Sequence, residues 1–312
     1  MTRNHKFYLD LAFRQAEKNL GKTKSNPSVG TVVVKNNSVI SIGVTSVNGR
    51  PHAEYNALKN EKNLFGADLY TTLEPCTHYG LTPPCVNMII KKKIKNVYYA
   101  FDDPDPRSNK KAKKVLKKKK INAKLIKIEN FKNFYSSYFF NKKFKLPFIS
   151  AKIALSNDYY SINKKHKWIT NDKSRKITHL LRSRNDCIFS TSKSLNKDNS
   201  LLNCRVDGLD NHNPDLFIID VHLKLKKNLS IINMAKTRKT FLITKKENQK
   251  KIGFFKKKGF KFIFIESLNT KDDFKIMFHY INRLGYYRAF FETGLTFLNS
   301  LINFKLVNNL FV

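Results

Sequence analysis

Four side chains in the first third of the sequence have the types and the order needed to hold and use a metal ion. His52-Ala53-Glu54 comes first, then Pro75-Cys76, then Cys85 after eight intervening residues. Two thiolates and one imidazole form a three-ligand zinc set and leave the fourth tetrahedral position for water. Glu54, two residues from the histidine, lies close to the metal without being needed as a ligand, which is the position of a proton shuttle. Zinc lowers the pKa of its water, so hydroxide is available near neutral pH. Glu54 would take the proton and deliver it to a ring nitrogen, then to departing ammonia. A lone His-x-Glu or a lone cysteine is usually structural. Together, in this order and each at an expected helix start, coincidence is improbable. A structural zinc normally wants four protein ligands. The nearby candidate for a fourth, His78, is better suited to touching substrate.

These residues need a frame. Residues 6–20 place apolar side chains at helical spacing, and Gly21 is a fitting stop. Residues 31–34 and 39–43 read as a hairpin around the turn 35–38. A helix is expected over 52–59, a strand over 67–73, a helix from about 84, strands over 96–101 and 123–128, and a lysine-rich helix between those two strands. The alternation describes an α/β domain. Residues 131–145, aromatic and lysine-rich, look mobile. Pro147 opens a second α/β block with strands over 148–155, 186–190, 216–220, 240–244, 260–265 and 288–292, and helices over 172–184 and 296–304. The expected domains are 1–145 and 146–312. The biased loops 193–213 and 246–252 join periodic segments.

At 312 residues, two domains are the prior, and 41% hydrophobic residues suffice for real cores. No apolar run approaches the ~18 residues of a membrane span, and the N-terminus leads into no signal-peptide core. Four cysteines exclude a disulfide scaffold. The expectation is a cytoplasmic protein with no membrane partner. The net charge of +37 nominates a nucleic-acid binder. However, only 11 of the 60 cations are arginine and the lysines run along the whole chain, which fits a hydrated surface better than base-reading forks. The densest run, Lys110–Lys120, also carries Ala112, Val115 and Leu116, which suit one buried stripe on a solvated helix. No specific nucleic-acid partner is expected.

His-Ala-Glu with Pro-Cys resembles the cytidine-deaminase superfamily. Most nucleoside and tRNA deaminases there space their cysteines Cys-x-x-Cys. The long stretch from Cys76 to Cys85, His78-Tyr79-Gly80-Leu81-Thr82-Pro83-Pro84 included, is similar to the bacterial riboflavin-biosynthesis deaminase-reductases. Asn26-Pro27-Ser28-Val29-Gly30 and Asp103-Pro104-Asp105-Pro106 support the match. The resemblance implies that the inserted loop contacts the substrate's phosphate-bearing side, with Asn26 and His78 among the substrate contacts. The family usually has Arg where Leu81 stands, so one cationic contact is missing or supplied elsewhere.

The resemblance continues through nearly all of the remaining chain. It implies a second domain of dihydrofolate-reductase-like fold that uses NADPH to reduce a ribose to ribityl. Implied substrate contacts there are His166, Arg182, Leu202, Arg205 and Glu292. Implied cofactor contacts are Ala154, Trp168, Thr170, Ser194, Asp198 and Gly294. Arg182 and Arg205 suit a phosphate through charge-assisted hydrogen bonds. Gly294 opens a helix whose N-terminus favours an anion. Read without the resemblance, Trp168 would be packing, Arg182 a solvated helix residue and Glu292 a strand-end carboxylate. No Gly-x-Gly supports a Rossmann site.

Three motifs depart from the family. Tyr159 stands where a glycine able to take positive φ is usual, Asn199-Ser200 replaces Asp-Pro, and Val221 follows Asp220. The sequence also stops at Val312, before the family's last reductase strands, which predicts an unpaired sheet edge. The leading expectation is a bifunctional enzyme with zinc and NADPH, acting on a small phosphorylated pyrimidine and assembling as a homo-oligomer. Its alternatives are a deaminase with a degenerate reductase scaffold, a tRNA or nucleoside deaminase, and a nucleic-acid binder with a structural zinc.

Overall fold

The computed structural model describes residues 4–161, 169–208 and 213–312. Two compact units emerge, Met1–Lys143 and Phe144–Val312.

The first unit is built on a five-stranded sheet: β1 (Gly30–Lys35), β2 (Ser38–Val44), β3 (Asp68–Thr71), β4 (Asn96–Tyr99) and β5 (Asn122–Leu125), in the order β2-β1-β3-β4-β5. β1 runs antiparallel to both of its neighbours, while β3, β4 and β5 run parallel. Alternation along the strands divides the side chains between two cores. Val33, Leu69, Val97 and Tyr99 face one way, onto α2 (Ala53–Leu58), α3 (Cys85–Lys91) and α4 (Ala112–Lys117). Val32, Val34, Tyr70 and Tyr98 face the other, onto α1 (His5–Glu17). The result is a three-layer α/β/α unit. The lysine run behaves as expected: Ala112 and Leu116 are buried while its lysines line the outer face.

The expectation of a mobile stretch over 131–145 is wrong. Residues 136–144 form α5 (Ser136–Phe144), and the aromatics before it close the α1 core. Phe131 stacks on Phe13 at 4.3 Å, and the Tyr135 hydroxyl meets Thr72 Oγ1 at 2.6 Å and the Ser28 carbonyl at 3.0 Å. The interleaved lysines disguise an apolar face.

The second unit holds β6 (Phe148–Lys152), β7 (Cys187–Thr191), β8 (Asp215–Ile219), β9 (Thr240–Lys245), β10 (Lys261–Ile265), β11 (Arg288–Phe291) and β12 (Asn309–Phe311), in the order β10-β9-β8-β7-β11-β6-β12. The described pairs are all parallel. Phe189, Phe217, Phe241 and Phe291 stack across the strands on one face, with neighbouring ring centroids 4.4–4.8 Å apart. Ile188, Leu216, Ile218, Leu242 and Phe290 fill the other face. Helices α6 (Asp172–Ser183), α7 (Ser192–Asp198), α8 (Ser230–Met234), α9 (Gly253–Lys257), α10 (Lys271–Arg283) and α11 (Leu295–Asn303) connect the strands.

Neither α7, α8, α9, α10 nor β12 was read from the sequence, and α7 lies inside a segment read as loop. β12, with Leu310 and Phe311 exposed, forms one edge of the sheet and pairs with β6. Tyr159 does take the left-handed conformation, at φ +63 with its ring 80% exposed. Asn199 is left-handed too and ends α7, its side chain accepting from the Ser230 amide. Val221 is half-buried against the phenylalanine core, and its carbonyl accepts from Asn248. Among the described residues no helix is long and apolar enough to cross a membrane.

Candidate active sites

In the first unit, β3 delivers the chain to Cys76, and α3 begins at Cys85, whose backbone N–H points at Cys76 Sγ, 3.2 Å away. His52 caps the start of α2 in extended conformation, and Glu54 lies in the first turn of that helix. Two helix starts therefore converge. His52 Nδ1 stands 3.6 Å from Cys76 Sγ and 3.4 Å from Cys85 Sγ. Ligand atoms bonded to a tetrahedral zinc at ~2.0 Å (nitrogen) and ~2.3 Å (sulfur) lie roughly 3.5 Å apart. The three ligand atoms all lie within 4.8 Å of one another, and the donor set suits zinc. The imidazole presents Nδ1 to the cluster, since that nitrogen lies beside both sulfurs, while Nε2 is buried and meets no hydrogen-bond partner among the described residues.

Glu54 is 4% exposed and accepts from the Cys85 thiol at 3.4 Å. Burial, reinforced by the Cys76 charge, pushes its carboxyl up to about 7. A bound cation acts in the opposite direction. The Cys76 thiol is held well below its usual range, first by the hydrogen bond from Cys85 and then by His52, whereas Cys85 is pushed up.

His78 is not part of the ligand cluster. Its Nδ1 meets Ser108 Oγ at 2.8 Å, and the same hydroxyl accepts from the Thr77 amide. Behind Ser108 stands Glu74, 2% exposed, which accepts backbone N–H groups from Asp103, Lys110 and Ala112. That buried carboxylate fixes the loop bearing Ser108, and sequence reasoning missed it. The signal was Glu74-Pro75-Cys76 itself, an acid at a strand end beside a ligand. Asn26 is half-buried and donates to the Gly49 carbonyl at 3.0 Å.

In the second unit, nine of the expected residues line one cavity of about 1240 Å³. Ala154 and Thr170 border it from the segments after β6 and before α6; Ser194 and Asp198 come from α7; Leu202 and Arg205 follow; Glu292 and Gly294 lie after β11; Arg182 comes from α6. His166 and Trp168 lie outside the described residues. The volume exceeds the ~300–1,000 Å³ of a single small-molecule pocket and suits a dinucleotide beside a substrate.

Arg182 and Glu292, expected as separate substrate contacts, are joined: Nε–Oε1 at 2.5 Å and Nη2–Oε2 at 2.9 Å, with the side chains 11% and 13% exposed. Arg182 Nη1 donates to the Asn203 carbonyl at 2.8 Å. The reading of Arg182 as a solvated helix residue is thereby excluded. Arg205 remains exposed. Gly294 caps α11 at φ −68, and a Cβ there would meet Ser194 Oγ at 3.5 Å, an ordinary contact. Its missing side chain therefore leaves room in the cavity and answers no backbone demand. The Gly294 amide donates to Ser194 Oγ at 3.1 Å.

Lys152 and His179 are among the lining residues that the sequence reading did not single out. Lys152, at the end of β6, is half-buried, and burial lowers its amine from the usual range against the pull of Glu292. His179, one turn before Arg182, is lowered by burial and by the Arg182 charge. A lysine ending a strand in a lysine-rich chain gives no sequence signal.

Comparison with known proteins matches both units. Residues 2–101 match the cytidine and deoxycytidylate deaminase zinc-binding region, and residues 147–312 match the RibD C-terminal domain. The riboflavin biosynthesis protein RibD of Aquifex aeolicus is 34% identical over 274 residues, covering 86% of this chain and 76% of that protein. RibD of Chlamydia trachomatis is 29% identical over 97% of this chain and 82% of its own length. With RibD of Buchnera aphidicola, 35% identical, the match spans 64% of the relative. Among solved structures, Acinetobacter baumannii RibD superposes with a TM-score of 0.84 at 25% identity, covering 98% of this chain and 85% of that one. A Thermotoga maritima protein described as a diaminohydroxyphosphoribosylaminopyrimidine deaminase/5-amino-6-(5-phosphoribosylamino)uracil reductase superposes at 0.82 over 96% and 83%. A deaminase-type metal cluster and a reductase-type cavity on one chain, matched along nearly its whole length, have one explanation: the chain belongs to the RibD family of bifunctional riboflavin-biosynthesis enzymes.

Proposed function

We propose that this chain carries out two consecutive steps of riboflavin synthesis. The first unit hydrolytically deaminates 2,5-diamino-6-ribosylamino-4(3H)-pyrimidinone 5′-phosphate. The second reduces the ribosyl group with NADPH, giving 5-amino-6-ribitylaminouracil 5′-phosphate. The observation that carries this reading is the His52–Cys76–Cys85 cluster with buried Glu54 beside it, in a chain that also holds the large polar cavity.

In the first unit His52 Nδ1 and the two sulfurs would hold zinc. Bound zinc acidifies a water molecule. Glu54, buried and facing the cluster beside Cys85, is the group able to accept a proton and pass it to the pyrimidine nitrogen and the leaving amine. His78, its Nδ1 engaged by Ser108, presents Nε2 to the substrate. In the second unit NADPH supplies hydride when bound. Lys152 and Glu292 stand in the same cavity wall, and we assign them the positioning of the ribose. Arg205, exposed at the rim, takes the phosphate, while Arg182 fixes Glu292. Ser194, Asp198, Ala154, Thr170 and Gly294 are assigned to the cofactor side.

The long Cys76–Cys85 spacing disfavours a tRNA or nucleoside deaminase, and the cavity disfavours a mere scaffold. No disulfide joins the cysteines among the described residues, in keeping with a cytoplasmic location, and we expect a homo-oligomer. The test supplies the diaminopyrimidine with and without NADPH and resolves products by mass. Exchange of NH₂ for OH adds about one mass unit, and hydride plus proton adds about two more. Absence of the first product with zinc-loaded protein overturns the deaminase reading; absence of the second alone overturns the reductase reading.

A further inference from the structure

The segment between the two cysteine ligands, residues 77–84, contains no lysine or arginine. Leu81 at its tip is 88% exposed, so it neither walls the site nor offers charge. A cation nevertheless reaches this segment from another part of the chain. Arg50, two residues before His52, donates from Nη1 to Thr82 Oγ1 at 2.5 Å, and its Nη2 lies 3.4 Å from where a side chain on Gly80 would begin.

The placement is built in. Gly49, at φ +87, passes so close to the Asn26 turn that a Cβ would fall 2.5 Å from the Thr23 carbonyl oxygen and 2.6 Å from Asn26 Nδ2. Asn26 holds the Gly49 carbonyl. Asn26, Arg50 and Gly80–Thr82 therefore share one rim, next to the ligand His52. Arg50 is half-buried, so its long side chain is held rather than swinging in solvent. Thr82 uses one of the guanidinium's five N–H donors. The rest of the planar fork is suited to two phosphate oxygens.

We propose that Arg50 is the specificity-determining residue of the deamination site: braced by Thr82, it binds the phosphate of the substrate from outside the loop between the cysteines. This rests on the deaminase function proposed above. It explains how a loop without its own cation can serve a phosphorylated pyrimidine. A charge-assisted, two-pronged contact is worth about 10- to 100-fold in recognition.

The experiment compares the full zinc-loaded chain with its Arg50→Gln and Arg50→Lys variants on the phosphorylated diaminopyrimidine and on its dephosphorylated nucleoside. Calorimetric binding of both compounds to the Glu54→Gln chain, with and without Arg50→Gln, gives a second readout. The preference for the phosphorylated compound should fall about 10- to 100-fold in Arg50→Gln, through KM rather than kcat, with partial recovery in Arg50→Lys. Inorganic phosphate should inhibit the parent chain more strongly than Arg50→Gln. An equal fall on both compounds would reduce Arg50 to a loop brace and overturn the proposal. An unchanged preference in an active variant would place the phosphate elsewhere and overturn it as well. A parent chain that deaminates neither compound overturns the underlying function, and the proposal with it.

Discussion

The two sites solve opposite problems. In the first unit the three candidate ligand atoms lie within 4.8 Å of one another, and Cys85 and the neighbouring Glu54 are both almost out of contact with water. In the second they are spread around a cavity of about 1240 Å³, and its strongest charges, Arg182 and Glu292, satisfy each other. A site that polarises one bond gains from a small dry enclosure, where charges act at full strength. A site that must admit a dinucleotide and a sugar phosphate has to stay open, so its charges are stabilised by pairing. The lesson is that burial marks the reacting groups in the first unit and the scaffold in the second.

Substitutions can break or sharpen this contrast. Cys85→Ser should have the largest effect: zinc content measured by atomic emission falls to background and deamination with it, while NADPH binding by the other unit persists. Glu54→Gln should retain zinc and lose roughly 10²- to 10⁴-fold in deamination rate. Loss of the metal in that variant would make Glu54 part of the coordination frame instead. In the second unit, Arg182→Met strands a carboxylate that is 13% exposed. Breaking such a pair costs about 3–5 kcal/mol, so the variant should unfold this unit at lower denaturant, with zinc-dependent deamination intact. Tyr159→Gly should have the smallest effect. It relieves a left-handed backbone at an exposed ring and raises stability by about 1 kcal/mol, read as a higher midpoint in urea.

The metal cluster was legible in the sequence because ligand chemistry restricts residue type: few patterns other than His-x-Glu with two spaced cysteines do that work. The strands were legible from alternation, which the two cores of the first unit obey residue by residue from Val32 to Val34. The helix Lys271–Arg283 was missed although its signal was present. Thr270 and Asp273 form a capping box, followed by Phe274, Met277, Phe278 and Ile281 on one face. The Arg182–Glu292 pair was not legible in any way. It joins residues 110 positions apart, and only the packing of α6 against the end of β11 brings them together. Ser108 and Lys152 were hidden for a similar reason, since each acts through a tertiary contact that no local pattern encodes, whereas Glu74 was missed although it stands at a strand end beside a ligand.

The aromatic closure around Tyr135 has a practical consequence for anyone who wishes to separate the two activities. The deaminase match ends at residue 101, yet the Tyr135 hydroxyl is bonded to the stretch leading into β1 and to Thr72, four residues before the ligand Cys76. A polypeptide cut after residue 101, or anywhere ahead of Tyr135, would lose both of these bonds and the aromatic packing on Phe13. The excised catalyst has to run through Lys143.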